Sequence, residues 1–231
     1  SVSKDEIVGA EALVRWVKPD GTVLPPDMFV PFLEKNGFIV KIDFFVYEEV
    51  CKYLRKRLDE GKNVVPISVN VSRIHMLAHD FTKRVNDIVR KYRIDPSMIE
   101  MELTESAFVV NEADTIATME KLKEMGFRVS IDDFGTGYSS LSLLKNMPVD
   151  VLKIDKGFFS GENLDGKDGI VLSSVMDMAD KMNIEIICEG IETEAQVDFL
   201  KASKCDTAQG FYYAKPVPTA DFEDLLAMHC P

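Results

Sequence analysis

Apolar residues along this chain alternate between short runs with strand character and longer stretches at helical spacing. The short runs predict strands over Ile7–Trp16, Val64–Val71, Ile99–Thr104, Phe127–Asp132, Val149–Ile154, Ile184–Cys188 and Asp206–Gln209. The helical spacing predicts helices over Pro26–Lys35, Val40–Glu60, Phe81–Tyr92, Ala113–Met125, Leu141–Asn146, Gly169–Met182, Glu194–Ala202 and Ala220–Met228. Asn36-Gly37 and Gly61 supply helix stops. Repeated strand–helix units of this size imply a parallel sheet, open or closed into a barrel. No linker or low-complexity segment interrupts them, so residues 1–231 read as one domain. The seven strands are one short of a closed eight-strand barrel. Ser1–Glu6 is polar and runs straight into a strand, so the missing strand is expected upstream and the domain is expected to be N-terminally truncated.

Polar residues fall where those strands end, and in β/α folds the C-terminal strand ends carry the chemistry. Alternation puts Glu11, Leu13 and Arg15 on one face of the first strand. Asn70 ends the second, Glu102 and Glu105 the third, and Asp132 and Asp133 the fourth. Lys153 and Asp155 end the fifth, Glu189 and Glu192 the sixth, and Gln209 the last. Any one of these acids is readily explained as a helix cap or a solvated turn residue. That account fails for the set, because independent caps would favour Ser and Thr and would not place Lys or Gln there.

Composition and charge narrow the chemistry. With 46% hydrophobic residues, the 231-residue chain can bury one substantial core, although two small domains would also fit. A net charge of −12 argues against a nucleic-acid polymer as partner but allows a small phosphorylated ligand held through cations. Cys51, Cys188, Cys205 and Cys230 lack metal-binding or framework spacing and read as reduced thiols of a cytoplasmic protein. No apolar run approaches a membrane span, and any anchor would lie outside this chain. Converging carboxylates repel one another unless cations neutralise them, and an all-oxygen ligand set suits Mg²⁺ or Mn²⁺. The adjacent pair Asp132-Asp133 is suited to two ions, and two such ions form a clamp for displacement at phosphorus. This combination points to phosphoester hydrolysis.

The blocks Glu11-Ala-Leu13 with Arg15, Asn70-Val-Ser72, Glu102-Leu-Thr-Glu105, Asp132–Ser140, Leu152-Lys-Ile-Asp155, Glu189-Gly-Ile-Glu192 and Gln209-Gly210 together resemble the EAL domain, the family of cyclic-di-GMP-specific phosphodiesterases. The resemblance implies a modified (β/α)8 TIM-like barrel with one antiparallel strand. It also implies hydrolysis of cyclic-di-GMP to linear pGpG with two Mg²⁺ or Mn²⁺ ions, with Ca²⁺ inhibitory. By the same resemblance, Glu11, Asn70, Glu102 and Asp132 would hold the first ion, and Asp132 with Asp133 the second. Lys153 would meet the phosphate or the attacking water, and Glu189 would act through the second ion's water shell, with general base as its alternative role. Glu192 and Gln209 would orient that shell, Arg15 and Leu13 would contact substrate, and Glu105 would anchor the mobile Asp133–Ser140 loop. A homodimer through barrel helices and an upstream regulatory or GGDEF module are further expectations, with the whole protein cytoplasmic or anchored to a membrane elsewhere.

Other features read as structural. His75 and His79 lack a third ligand and are expected at the surface. The methionines and the Phe44/Phe45 pair are expected in the core, and Lys52–Arg57 on a solvated helix face. The glycines of 135–137 make neither a kinase nor a dinucleotide loop. A glycosidase with two carboxylates would not explain the Asn, the Lys and the adjacent aspartates. A cyclic-di-GMP receptor that has lost its metal ligands is the alternative within the family, yet here each of those positions holds the matching residue.

Overall fold

The computed structural model of the protein describes residues 1–135, 144–159, 166–203 and 205–229. It divides into two compact units, Gly9–Arg128 and Ser1–Val8 with Val129–Pro231.

In the first unit the predicted Ile7–Trp16 strand is split. Only β1 (Ala10–Ala12) joins the main sheet, because its ladder with the next strand is confined to Ile67–Val69. β2 (Trp16–Val17) and β3 (Val23–Leu24) form a separate antiparallel hairpin. Its turn, Pro19-Asp20-Gly21, has Gly21 at φ 84° and the Asp20 carboxylate accepting from the Thr22 amide at 2.9 Å. That tripeptide is a turn signal in its own right, so the hairpin was available in the sequence.

Two helices follow, α1 (Pro26–Lys35) and α2 (Ile39–Asp59). α1 begins on Pro26, whose missing N–H costs nothing in a first turn. It buries Phe29 and Leu33 one turn apart, and the Trp16 ring meets Phe29 edge-on at 5.5 Å. α2 buries Ile39, Asp43, Tyr47, Val50, Cys51, Leu54 and Arg57 along one stripe. Arg57 is a correction to the expected solvated run: it is buried and donates to the Asn63 carbonyl at 2.9 Å. Its neighbours Lys52 and Arg55 do face outward, paired with Glu49 and Asp59. Phe45 also departs from expectation, being 60% exposed on the opposite face of the helix. The methionines divide, with Met76, Met101, Met119 and Met176 buried while Met28 and Met228 face solvent.

β4 (Ile67–Asn70), α3 (Phe81–Tyr92), β5 (Ile99–Thr104), α4 (Ser106–Val110) and α5 (Glu112–Glu124) complete the unit. β4 lies between β1 and β5, parallel to both. The α4 turn lies within a stretch that apolar patterning left unassigned.

The second unit contains β6 (Arg128–Phe134), β7 (Val151–Ile154), α6 (Lys167–Lys181), β8 (Glu185–Cys188), α7 (Glu194–Ala202), β9 (Thr207–Ala208) and α8 (Thr219–His229). Its strands pair in parallel in the order β6-β7-β8-β9. Ile154, Leu172, Met176, Ile191, Val197 and Leu200 pack its core, and Val2 joins them. α7 is started by a capping box between Thr193 and Gln196. Cys51, Cys188 and Cys205 are free, buried thiols, as expected. Burial pushes the Cys51 thiol up to about 12. Cys230, and the Leu141–Asn146 helix up to residue 143, lie outside the described residues. No helix among the described residues is long and apolar enough to cross a membrane.

Candidate active site

The parallel register of the first unit decides which side chains share a face. Glu11 is the Cα partner of Ser68, and Asn70 is the partner of Glu102. Residues two apart on a strand point the same way, so Glu11, Ser68, Asn70 and Glu102 line one side of the sheet. The Asn70 side-chain amide donates to Glu11 Oε1 at 3.1 Å. Carboxylate oxygens of Glu11 and Glu102 lie within 4.8 Å of each other, and Glu102 is only 1% exposed. Two carboxylates this close repel one another when both are ionised, and a bound cation relieves that repulsion. Two carboxylates and an amide offer oxygen donors alone, the set that a hard divalent cation takes. The donors therefore fit the expected ions.

Leu13 and Arg15 are not on this strand face, because β1 ends at Ala12. Arg15 is exposed and its guanidinium donates to the adjacent Val14 carbonyl at 2.9 Å, while Leu13 is partly exposed. Glu105 is buried at the start of α4. Of the loop it was expected to anchor, residues 136–140 lie outside the described residues.

In the second unit, the register of β6 against β7 shifts between Ile131 and Phe134. Asp133 sits inside that irregularity at φ 56°, a left-handed conformation uncommon for a residue with a side chain, and its amide donates to Asp132 Oδ1 at 2.8 Å. A bulge of this kind breaks the strict alternation that would otherwise send neighbouring side chains to opposite faces. Asp132 is half-buried and Asp133 exposed.

Lys153 is 1% exposed on β7, and its Nζ meets Glu189 Oε1 at 2.6 Å. A buried ammonium requires such a partner, since desolvation of the lone charge would outweigh what packing returns. Glu189 follows β8 directly, and its amide donates to the Ile154 carbonyl at 2.9 Å, extending the ladder one step. Gln209 is tied in the same way: its amide donates to the Cys188 carbonyl and its carbonyl accepts from Ile191. Gly210 has no alternative residue, because a Cβ there would collide with the Ile191 backbone. Glu192 is exposed, its amide held by the Gln196 side chain at 2.8 Å. Asp155 accepts from the Gly157 amide at 2.7 Å, the turn role of an ordinary strand-end acid.

His75 is a correction. It is 1% exposed and not at the surface, lying in the 3-10 turn Arg73–Leu77 with Nε2 2.9 Å from Asp43 Oδ2. Its ring stacks on Phe81 at 4.4 Å. Asp43 and Tyr47 were overlooked in the sequence, although the signal was present: both interrupt the apolar stripe of α2 with polar groups.

Against known proteins, the family model described as the EAL domain matches residues 1–216. The chain is 38% identical over 221 residues to the bifunctional diguanylate cyclase/cyclic di-GMP phosphodiesterase MucR of Pseudomonas aeruginosa, covering 96% of this chain and 32% of MucR. It is 33% identical over 226 residues to the cyclic di-GMP phosphodiesterase NbdA of the same organism, covering 98% of this chain and 29% of NbdA. The chain thus spans about a third of the length of these relatives. Among solved structures, the MucR phosphodiesterase in complex with c-di-GMP superposes with a TM-score of 0.86 at 36% identity, covering 94% of this chain and 87% of that one. The fold class is accordingly the TIM-like α/β class of those domains, and the chain belongs to the EAL domain family.

Proposed function

We propose that this chain hydrolyses cyclic-di-GMP to linear pGpG in bacterial second-messenger signalling. The observation that carries the reading is the Glu11–Asn70–Glu102 face, where two acids and an amide stand together at the strand ends that the family uses. MucR and NbdA, named as phosphodiesterases, support it, as does the c-di-GMP complex of the MucR domain.

Glu11, Asn70, Glu102 and Asp132 would hold one Mg²⁺ or Mn²⁺, and Asp132 with Asp133 a second. Bound there, the ions would supply an acidified water and neutralise charge developing on the phosphate oxygens. The Asn70 amide, by donating to Glu11, fixes that carboxylate in one orientation. Lys153, paired with Glu189 at 2.6 Å, would meet the phosphate or the attacking water, and Glu189 would act through the second ion's water shell or as a general base. Glu192 and Gln209 would orient water. Arg15, exposed and bonded to its neighbouring carbonyl, would swing onto the substrate phosphate, with Leu13 beside it. Ca²⁺, larger and less exacting in its geometry, would occupy the acids without holding that arrangement and so inhibit. Water adds at phosphorus as the bond to the 3′ oxygen breaks, leaving a 5′ phosphate. Glu105 as loop anchor, a cytoplasmic setting, a homodimer through barrel helices and an upstream regulatory or GGDEF module belong to the same proposal.

Incubation of cyclic-di-GMP with the protein and Mn²⁺, followed by anion-exchange chromatography, should yield pGpG. Glu102→Gln, nearly isosteric, should lower kcat by roughly 10²–10³-fold, the scale of losing one preorganised electrostatic contact. Tight binding of cyclic-di-GMP with no metal-dependent turnover would replace the enzyme with the receptor.

A further inference from the structure

Two polar side chains, Tyr47 and Asp43, end on one short stretch of backbone, and a third, His75, reaches it through Asp43. Tyr47 Oη donates to the Asn70 carbonyl at 3.1 Å. Asp43 Oδ2 accepts from the Ser72 amide at 3.3 Å and lies 2.9 Å from His75 Nε2. His75 in turn donates its own amide to the Ser72 carbonyl at 3.0 Å. On the other side, the Val71 amide donates to the Glu102 carbonyl at 2.8 Å. Residues 70–72 are therefore clamped between β5 and a helix.

The clamp is expensive. Asp43, Tyr47 and His75 are 7%, 2% and 1% exposed, and their ring neighbours Phe44 and Phe81 are apolar. Burying a phenol, a carboxyl and an imidazole costs free energy that apolar residues of similar size would not. Among the described residues His75 Nδ1 is buried with no hydrogen-bond partner, which suits an imidazole carrying its proton on Nε2 and directing it at Asp43. Among the described residues the hydrogen bonds of these three side chains converge on Asn70–Ser72.

We propose that Asp43, Tyr47 and His75 are positioning residues that hold the end of β4 so that Asn70 presents its side chain to the divalent cation. They touch neither substrate nor ion, and the inference rests on the reading of Asn70 as a metal ligand. Such outer partners are typically worth 10–100-fold in metal affinity.

The test measures Mn²⁺ binding without substrate, by the loss of the free-ion electron paramagnetic resonance signal, alongside turnover, in the intact protein. Tyr47→Phe removes one hydroxyl and should raise the Mn²⁺ midpoint about tenfold while kcat at saturating Mn²⁺ stays within about twofold. Asp43→Ala should raise the midpoint further, and Asp43→Asn, which still offers an oxygen to the Ser72 amide, should restore most of it. Should Asp43→Ala not fold, the Tyr47→Phe and Asp43→Asn pair decides. Variants that melt at lower temperature but bind Mn²⁺ like an active wild type overturn the positioning role alone. A wild type that neither binds Mn²⁺ nor turns over overturns it together with the reading of Asn70.

Discussion

Asp43 illustrates how burial turns a carboxyl into a pH-dependent element of stability. Loss of water is the largest influence on it and raises its pKa above the ordinary 3.8, with the His75 hydrogen bond pulling the other way. The folded chain then keeps the Asp43 proton to higher pH than the unfolded chain does. Its contribution to stability is thus most favourable below the ordinary value and is lost as pH rises through the raised one. Asp43→Asn removes the titration. The stability of this variant relative to wild type, from urea unfolding between about pH 3.5 and pH 7, should increase with pH and then level off. A flat difference would mean that Asp43 titrates alike in the folded and unfolded chains. The place of Asp43 in the apolar stripe of α2 announces its burial, which raises the pKa, whereas the opposing pull comes from groups about thirty residues further on, Ser72 and His75.

At the scale of elements, local signals served well wherever one residue suffices to end a structure. Pro26 begins α1, Gly37 and Gly61 stand at positive φ just after α1 and α2, and the predicted bounds of α1, α3 and α7 are those observed. α3 shows the exception in chemistry: it is closed by Arg93 at φ 53°, where glycine would ordinarily sit. A side chain there meets the steric cost of the left-handed region, about 1–2 kcal/mol, part of which glycine's greater freedom in the unfolded chain gives back. Arg93 is exposed, and Arg55 reaches its carbonyl, a contact any residue retains. Arg93→Gly should therefore stabilise the protein by about 0.5–1 kcal/mol, measured as a rise in the denaturant midpoint with unchanged slope. The short β2–β3 hairpin went unread because strand patterning favoured one long run through Trp16, although Pro19-Asp20-Gly21 marked the turn.

For the whole molecule, the acids that define the candidate site also set a stability ledger that metal should shift. A cation that binds the folded chain alone stabilises it by mass action, about 2.7 kcal/mol at a hundredfold excess over Kd. For a chain of 231 residues that corresponds to roughly 5–10 °C in melting temperature. Scanning calorimetry with Mn²⁺ should show this rise, EDTA should reverse it, and Glu102→Gln should show little of it. Equal melting temperatures with and without Mn²⁺ would remove the metal from the account.

Local pattern in the sequence was enough for most strands and helices and for the residues at most strand ends, though not for the β2–β3 hairpin or α4, because periodicity, caps and turn residues act over a few neighbours. The sequence also carried the family, through the seven strand-end blocks that resemble the EAL domain, whose family model matches residues 1–216. Tertiary structure alone decided the rest. Arg15 leaves the Glu11 face because β1 runs out of partner after Ala12, and the Asp132-Asp133 pair sits on a bulge that only the register with β7 reveals. His75, an ordinary polar residue in sequence, becomes a buried link because α2 brings Asp43 to it across thirty-two positions. Each of these depends on which distant groups satisfy a desolvated polar atom, and that is settled by packing rather than by neighbours along the chain.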